Sequence, residues 1–330
     1  MMGIVKNVYR KVIPFSVRAK IWRIRHSKEL EILKKNIEQQ EEYFKDHIDD
    51  FTLDDARKTD MLRIFSLLRK KGATAFPEMD AFIHEKYFTR KLKIEKDTVS
   101  GLFYVLVDNK RLFYKRSLDE SSAVQSFNSV SFEQDYASPH RYLTNDKYFV
   151  GVMETDVKQV IGDSFGVNDG DVVVDAGAAE GNFALSVIEK ASKVYIIEGD
   201  AEWCEALKQT FSVYKEKVEI IQKYLSNVSD NNNITLVDLI DKYNINKIDF
   251  LKMDIEGCEK QSLYGGMIND VKFIDINKMA ICTYHNPEDE VEISNFVSQH
   301  GYKFYLTDGY MFFPDSNNPP IRKAILRAYK

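Results

Sequence analysis

Three cysteines in 330 residues, Cys204, Cys258 and Cys282, are too few and too scattered for a disulfide framework or for metal-type spacing. They read as small packed hydrophobes in a reduced interior. No uninterrupted apolar run of about 18 residues is present, and no signal-peptide core, so the chain is expected to be cytoplasmic and not to cross a membrane. Neither charge dominates: 46 basic and 51 acidic side chains leave a net −5, which withholds the footprint of a general nucleic-acid binder and argues against RNA or DNA as partner. Repeats and low-complexity tracts are also missing, Asn231 to Asn233 being only a short polar loop. One further absence is the three-glycine turn of a dinucleotide site, and it directs attention to the chain's most informative stretch.

That stretch is Asp171-Val-Val-Val-Asp175-Ala-Gly177-Ala-Ala-Glu-Gly181. Val172 to Val174 form the short continuous apolar run of a parallel strand covered on both faces, and Phe183, Ala184, Val187 and Ile188 continue in helical spacing. Gly177 and Gly181 therefore lie between strand and helix, where the backbone must bend and approach a ligand, and Asp175 ends the strand. The spacing is G-x-x-x-G, with Ala179 and Asn182 at places where a dinucleotide turn wants help. A carboxylate at this turn suits a cofactor with a positive centre and an ammonium group, as in S-adenosylmethionine. A second strand, Val194 to Ile197, ends in Glu198 at about the 20-residue distance at which an acid receives ribose hydroxyls.

A third strand, Ile248 to Met253, runs into Asp254-Ile-Glu256-Gly257-Cys-Glu259. So much like charge at a strand end is costly unless something cationic or protonatable faces it, which favours an active-site role for Asp254 and Glu256. Glu259 opens the following helix and is expected to be structural, complementing its positive end. The next strand, Lys278 to Thr283, leads into Tyr284-His285-Asn286-Pro287, with Pro287 placed to begin a helix. His285 thus falls on the same rim of strand C-terminal ends as Asp175, Glu198 and Asp254, and its ordinary pKa permits substrate contact or proton transfer.

Residues from about Ser138 to Lys330 resemble FkbM-type S-adenosylmethionine-dependent methyltransferases. Asp175 to Gly181 looks like the family's first motif, Glu198-Gly199-Asp200 stands at its ribose-binding acid, and Lys252-Met-Asp254-Ile-Glu256-Gly257-Cys-Glu259 is similar to its acidic segment, with Tyr284-His285 at the next strand end. Gly199 replaces a common proline and Cys258 a usual alanine. The resemblance implies a cofactor held by Asp175, Gly177, Ala178, Gly181 and Asn182 of the first motif, by Glu198 and Gly199, and by Asp254. It also implies contacts near adenine from Leu225 and Ser226. The family is associated with methylating hydroxyls of natural products and of surface polysaccharides. The likeness therefore implies an O-methyltransferase acting on a sugar or natural-product hydroxyl, without fixing the acceptor.

Methyl transfer from a sulfonium needs the acceptor oxygen held in line, and a neutral hydroxyl needs a group to take its proton. His285 or a carboxylate of the Asp254/Glu256 pair could do so; we take His285 as base, Asp254 beside the methionine end of the cofactor, and Glu256 orienting the acceptor. No metal is expected, although Asp254, Glu256 and His285 could alternatively grip a sugar diol through a divalent ion. A nicotinamide-dependent oxidoreductase is disfavoured by the glycine spacing. A non-catalytic scaffold beside glycan-synthesis enzymes is disfavoured by the retained acids and His285.

Upstream, residues 1–28 carry Lys6, Arg10, Lys11, Arg18, Lys20, Arg23, Arg25 and Lys28 with no acid, interleaved with Ile13, Phe15, Ile21 and Trp22. Such an arm either docks on the body as a helix or lies peripherally on an anionic membrane surface. Leu30, Leu33, Ile37, Met61, Ile64 and Phe65 mark helices, giving a basic and helical accessory region over 1–95. Gly101 to Val107 and Arg111 to Tyr114 flank Asp108-Asn-Lys110 and read as a hairpin extending or covering the main sheet, within a region 96–150. Its end, including His140, Arg141 and Tyr142, is polar and aromatic enough to line an acceptor cleft beside Glu256 and Tyr284. Residues 151–330 are the expected catalytic domain. Alternating strands and helices followed by closing strands predict an α/β, Rossmann-like class I methyltransferase fold: a mostly parallel seven-stranded sheet with one antiparallel member near its edge.

Overall fold

The structure, a computed structural model, describes residues 27–50, 55–71, 94–120, 165–267, 276–306 and 321–330, with short pieces between 17 and 25 and at 122–123, 141–142, 150–151 and 311–312. Residues 1–16, which begin the basic arm, and His140 lie outside the described residues. The chain divides into two compact units. In the first, helices α1 (Ser27–Asp46) and α2 (Asp55–Lys71) pack together. Ile37 and Phe44 recur at heptad spacing on α1, and Met61, Ile64 and Phe65 at three and four residues on α2, so each helix buries one stripe. Phe44 and Phe65 meet at 5.8 Å between ring centroids. Buried Glu41 is held by Arg69 at 2.7 Å and Lys45 at 2.6 Å.

The second unit comprises residues 92–141, 151–308 and 322–330. Strands β1 (Glu95–Lys96), β2 (Phe103–Val107) and β3 (Lys110–Phe113) form an antiparallel sheet. Val107 pairs with Lys110, leaving Asp108 and Asn109 as a two-residue turn at φ 48° and 65°. Two successive positive φ values match the right-handed twist of the strands, and Asp and Asn tolerate them best after glycine. This hairpin does not join the large sheet. It covers the helical layer instead: Leu102, Tyr104 and Phe113 cluster with Ala206 and Trp203. The N–H of Phe113 donates to Thr210 Oγ1 at 3.0 Å.

The large sheet is built from β4 (Val172–Ala176), β5 (Lys193–Ile197), β6 (Val218–Ile221), β9 (Ile248–Met253), β10 (Ile276–Cys282), β11 (Lys303–Leu306) and β12 (Ile325–Tyr329), while the short β7 (Tyr224–Leu225) and β8 (Asn233–Ile234) pair separately. Its order is β11-β12-β10-β9-β4-β5-β6. The pairs from β10 through β6 are parallel, and β12 runs antiparallel to both neighbours, one place in from the edge. This is the Rossmann-like arrangement expected from sequence. The central strands read as nearly continuous apolar runs because helices cover both faces: Val173, Val174, Phe250, Leu251 and Met279 to Ile281 are wholly buried. The connecting helices are α3 (Asn182–Val187), α4 (Ala201–Thr210), α5 (Leu236–Tyr243), α6 (Glu259–Met267) and α7 (Asp289–Gln299). Strand order reverses between β4 and β9, and it is there that parallel sheets open a crevice at their C-terminal ends.

Candidate active site

Backbone demands at the switch point explain the glycines. Gly177 leaves β4 at φ +70°, and a Cβ there would lie 1.7 Å from the carbonyl oxygen of Asp254 at the end of β9. Only glycine lets the two strand ends come this close. Ala179 follows at φ 47° and Gly181 at φ 84°. Gly181 faces away from the crevice, since its added Cβ would meet Leu207 at 2.6 Å and Phe211 at 3.0 Å. Its role is to seat the turn against α4.

The turn is fastened to β5 by Glu198. One carboxylate oxygen accepts from the Ala179 N–H at 2.9 Å and the other from the Asp200 N–H at 2.9 Å. Asp200 then caps α4 by accepting from Glu202 N at 2.8 Å. Between Glu198 and that cap sits Gly199, where a Cβ would lie 2.2 Å from the Tyr224 ring. A larger residue here, the common proline included, would have to displace the phenol ring.

A cleft of about 580 Å³ results, within the range of small-molecule sites. Among the residues singled out from sequence, Gly177, Ala178, Asn182, Glu198, Gly199, Leu225, Ser226, Asp254 and Glu256 line it. Asp175 does not. It is wholly buried beneath the turn, 3.1 Å from Lys252 Nζ, its cross-strand neighbour on β9. Lys252 also donates to the carbonyls of Ala176, at 3.2 Å, and Gly177. Burial pulls the Lys252 pKa down, but the charges of Asp175 and Asp254 outweigh it and hold the ammonium charged. The turn is thus braced from below by an ion pair that the sequence reading did not single out. A lone lysine in the apolar run Ile248 to Met253 was its signal.

His285 and Tyr284 stand behind the acidic wall of the cleft. The Tyr284 hydroxyl donates to Asp254 Oδ1 at 3.1 Å. His285 Nε2 lies 3.5 Å from the same oxygen and 3.6 Å from Glu256 Oε2, while Nδ1 lies 2.9 Å from Glu259 Oε1. Glu259 is fully buried and also accepts from the Ile255 N–H at 2.8 Å, folding back over the start of α6. Burial lowers the His285 pKa, yet the Glu259 hydrogen bond and the charges of Glu259, Asp254 and Glu256 together raise it above its ordinary value. Arg322 fixes the loop, donating to the carbonyls of Tyr284 at 2.7 Å and His285 at 2.9 Å. Glu256 is held at φ 56°, an uncommon conformation for a non-glycine residue, with its side chain almost fully exposed.

Asp254, Glu259 and His285 offer donor atoms within 4.8 Å of one another. The imidazole lies between the two carboxylates, however, with opposite ring nitrogens toward each. An ion here would take one imidazole nitrogen and one oxygen from each carboxylate, three protein donors where a hard divalent metal wants about six oxygens. The geometry instead suits an imidazole whose tautomer is set on one side and whose other nitrogen faces the cleft wall. Arg141 and Tyr142 form a short strand whose side chains, like His140, fall outside the described residues.

Residues 226–304, which carry β9, the acidic turn, β10 and His285, match the family described as the Methyltransferase FkbM domain. That bears out the resemblance over this segment. A comparison with curated proteins gives no match. Similar solved structures include an rRNA methylase from Streptococcus thermophilus (17% identity, 50% of this chain and 89% of that one, TM-score 0.32). Others are a precorrin-6y C5,15-methyltransferase from Geobacter metallireducens (9%, 49% and 82%, 0.34) and M. capricolum TrmK in complex with S-adenosylhomocysteine (13%, 50% and 64%, 0.34). Likenesses this distant transfer neither acceptor nor activity.

Proposed function

We propose that this chain is an S-adenosylmethionine-dependent O-methyltransferase that methylates a hydroxyl of a glycan or glycan precursor. The observation that carries the reading is His285, tied at Nδ1 to buried Glu259 and turned at Nε2 toward the acidic wall of a cleft floored by a glycine turn. The donor set fits such a cofactor. Glu198 keeps unused lone pairs at the position of a ribose-binding acid, Gly177 and Ala178 of the turn line the cleft, and the carboxylates of Asp254 and Glu256 suit a cationic centre. When bound, S-adenosylmethionine supplies an electrophilic methyl group.

The chain's own residues then have distinct tasks. Glu259 keeps the proton of His285 on Nδ1, so that Nε2 is the nitrogen free to accept the hydroxyl proton as the acceptor oxygen attacks. Asp254 lies beside that nitrogen and stabilises the imidazolium that forms; its other neighbour, Tyr284, orients it. Glu256, projecting over the mouth, orients acceptor hydroxyls. In the same way His140, Arg141 and Tyr142 are proposed to meet the acceptor. A rim bearing Asp254 and Glu256 repels a phosphate backbone, which favours an uncharged sugar over a nucleic acid. The reading places the protein in the cytoplasm, where its three free cysteines would stay reduced. Among the described residues no helix is long and apolar enough to cross a membrane.

The test pairs cofactor binding with turnover. His285→Ala is expected to bind S-adenosylhomocysteine like the wild type while losing methyl transfer by roughly 10²- to 10⁴-fold. Near-wild-type turnover in that variant would reject His285 as the base.

A further inference from the structure

Glu180 has no part in the account so far, although it sits in the middle of the glycine turn. Its side chain lines the cleft, yet the residue is only 4% exposed. Among the described residues no side-chain donor hydrogen-bonds its carboxyl, which accepts only from its own backbone N–H. The charged and titratable groups around it come from three elements. Lys252 and Asp254 face it from β9 and its end, Asp175 from β4, and the buried Tyr114 hydroxyl from the segment after β3. Lys252 is the single cation among three acids, and it is already committed to Asp175. The cluster therefore holds more acid than cation, and Glu180 is left without a positive partner of its own.

We propose that Glu180 is the ammonium-recognising acid of the donor cleft, binding the α-ammonium group of S-adenosylmethionine and of its demethylated product. This rests on the donor reading above. Three observations favour an ammonium over a metal ion or an acceptor hydroxyl. The carboxyl is enclosed on the wall of the turn instead of at the mouth. Of the two acids that act on it, Asp175 and Asp254, only Asp254 also lines the cleft, too few oxygens for a hard divalent cation. An ammonium group, with donors in three directions, can meet both carboxylates and the Gly177 carbonyl region at once.

Without a ligand, burial holds the Glu180 pKa up at about 7, reinforced by Asp175 and Asp254 and opposed by its own N–H and by Lys252. Near neutrality the empty protein thus carries a proton on Glu180 about half the time. Arrival of an ammonium favours the ionised carboxylate, so that proton leaves for solvent as the ligand binds. Donor affinity becomes dependent on pH through a residue that touches no reacting atom.

The experiment uses the full chain and S-adenosylhomocysteine, titrated calorimetrically in buffers of different ionisation heat. Wild-type affinity is expected to rise about tenfold between about pH 6 and about pH 8, with release of about half a proton near pH 7. Glu180→Gln should bind more weakly at the upper pH and lose both the pH dependence and the proton release. 5′-Methylthioadenosine, which has the nucleoside and no ammonium group, should bind the wild type without either. A flat wild-type affinity for S-adenosylhomocysteine, or a Glu180→Gln protein that keeps the proton release, overturns the assignment and leaves the donor reading standing. No binding of S-adenosylhomocysteine at any pH overturns the donor reading, and this assignment with it.

Discussion

Replacing Glu259 by glutamine tests the site where it is most explicit. In the wild type, a buried carboxylate 2.9 Å from His285 Nδ1 stabilises the imidazolium. A charge-assisted hydrogen bond of this kind contributes about 1.5–3 kcal/mol, and its loss should lower the His285 pKa. The sign follows from the raised value in the folded protein. Stability from the protonated pair is complete below the ordinary histidine pKa and is lost as pH rises through the folded one; in Glu259→Gln that loss disappears. A second consequence concerns the charge. One oxygen of Glu259, Oε1, both accepts the Ile255 N–H and faces Nδ1, so the oxygen of the introduced amide can keep both contacts and the substitution removes the negative charge alone. Methyl transfer should then fall, because a neutral amide stabilises the imidazolium that forms less well than a carboxylate does. The assay for the pKa is a proton NMR titration of the imidazole C2–H, assigned by difference from His285→Asn, so it needs no acceptor. An unchanged midpoint in Glu259→Gln would refute the coupling, and an unchanged rate would refute the positioning role.

Three other perturbations follow from the same geometry. Gly177→Ala should cost about 1–2 kcal/mol for the left-handed backbone alone, and more because a Cβ 1.7 Å from the Asp254 carbonyl must part the ends of β4 and β9; an unchanged melting temperature together with unchanged S-adenosylhomocysteine binding would contradict this. Lys252→Met leaves Asp175 buried without its cation, a loss of about 3–5 kcal/mol in chemical denaturation, and Asp175→Asn added to it should recover much of that. Exhaustive chelation should leave methyl transfer unaltered, because Asp254, Glu259 and His285 offer few donors for a hard divalent ion and the imidazole is engaged by Glu259; activity restored only by a divalent metal would show otherwise.

How much of this was legible beforehand depends on the distance over which each feature is specified. The sheet was readable because its signals are local: the apolar runs at Val172 to Val174 and Ile248 to Met253 need cover on both faces, and Gly177 and Gly181 mark the bend between strand and helix. The rim was readable too, since residues at the C-terminal ends of parallel strands must share an edge, which gathers Glu198, Asp254 and His285. What stayed hidden depends on which way a side chain turns. Asp175 reads from sequence as facing the crevice, but it points beneath the turn to Lys252, because the register of β4 against β9 sets them opposite each other. Glu259 looks like an ordinary helix-start acid until α6 and the loop after β10 are brought together, when it becomes the partner of His285. Likewise the ring that takes up the space beside Gly199 belongs to Tyr224 on β7, a contact that sequence separation hides. The hairpin was recognisable from Asp108 and Asn109, whereas its docking on α4 is a long-range fact carried by Phe113 and Thr210.

The most direct measurement incubates the protein with S-adenosylmethionine carrying a radiolabelled methyl group and fractionated cell extract, then locates the label. The account predicts alkali-stable label in a carbohydrate fraction, as a methyl ether, dependent on His285. Label in nucleic acid or protein, or none in any fraction despite tight donor binding, would contradict it.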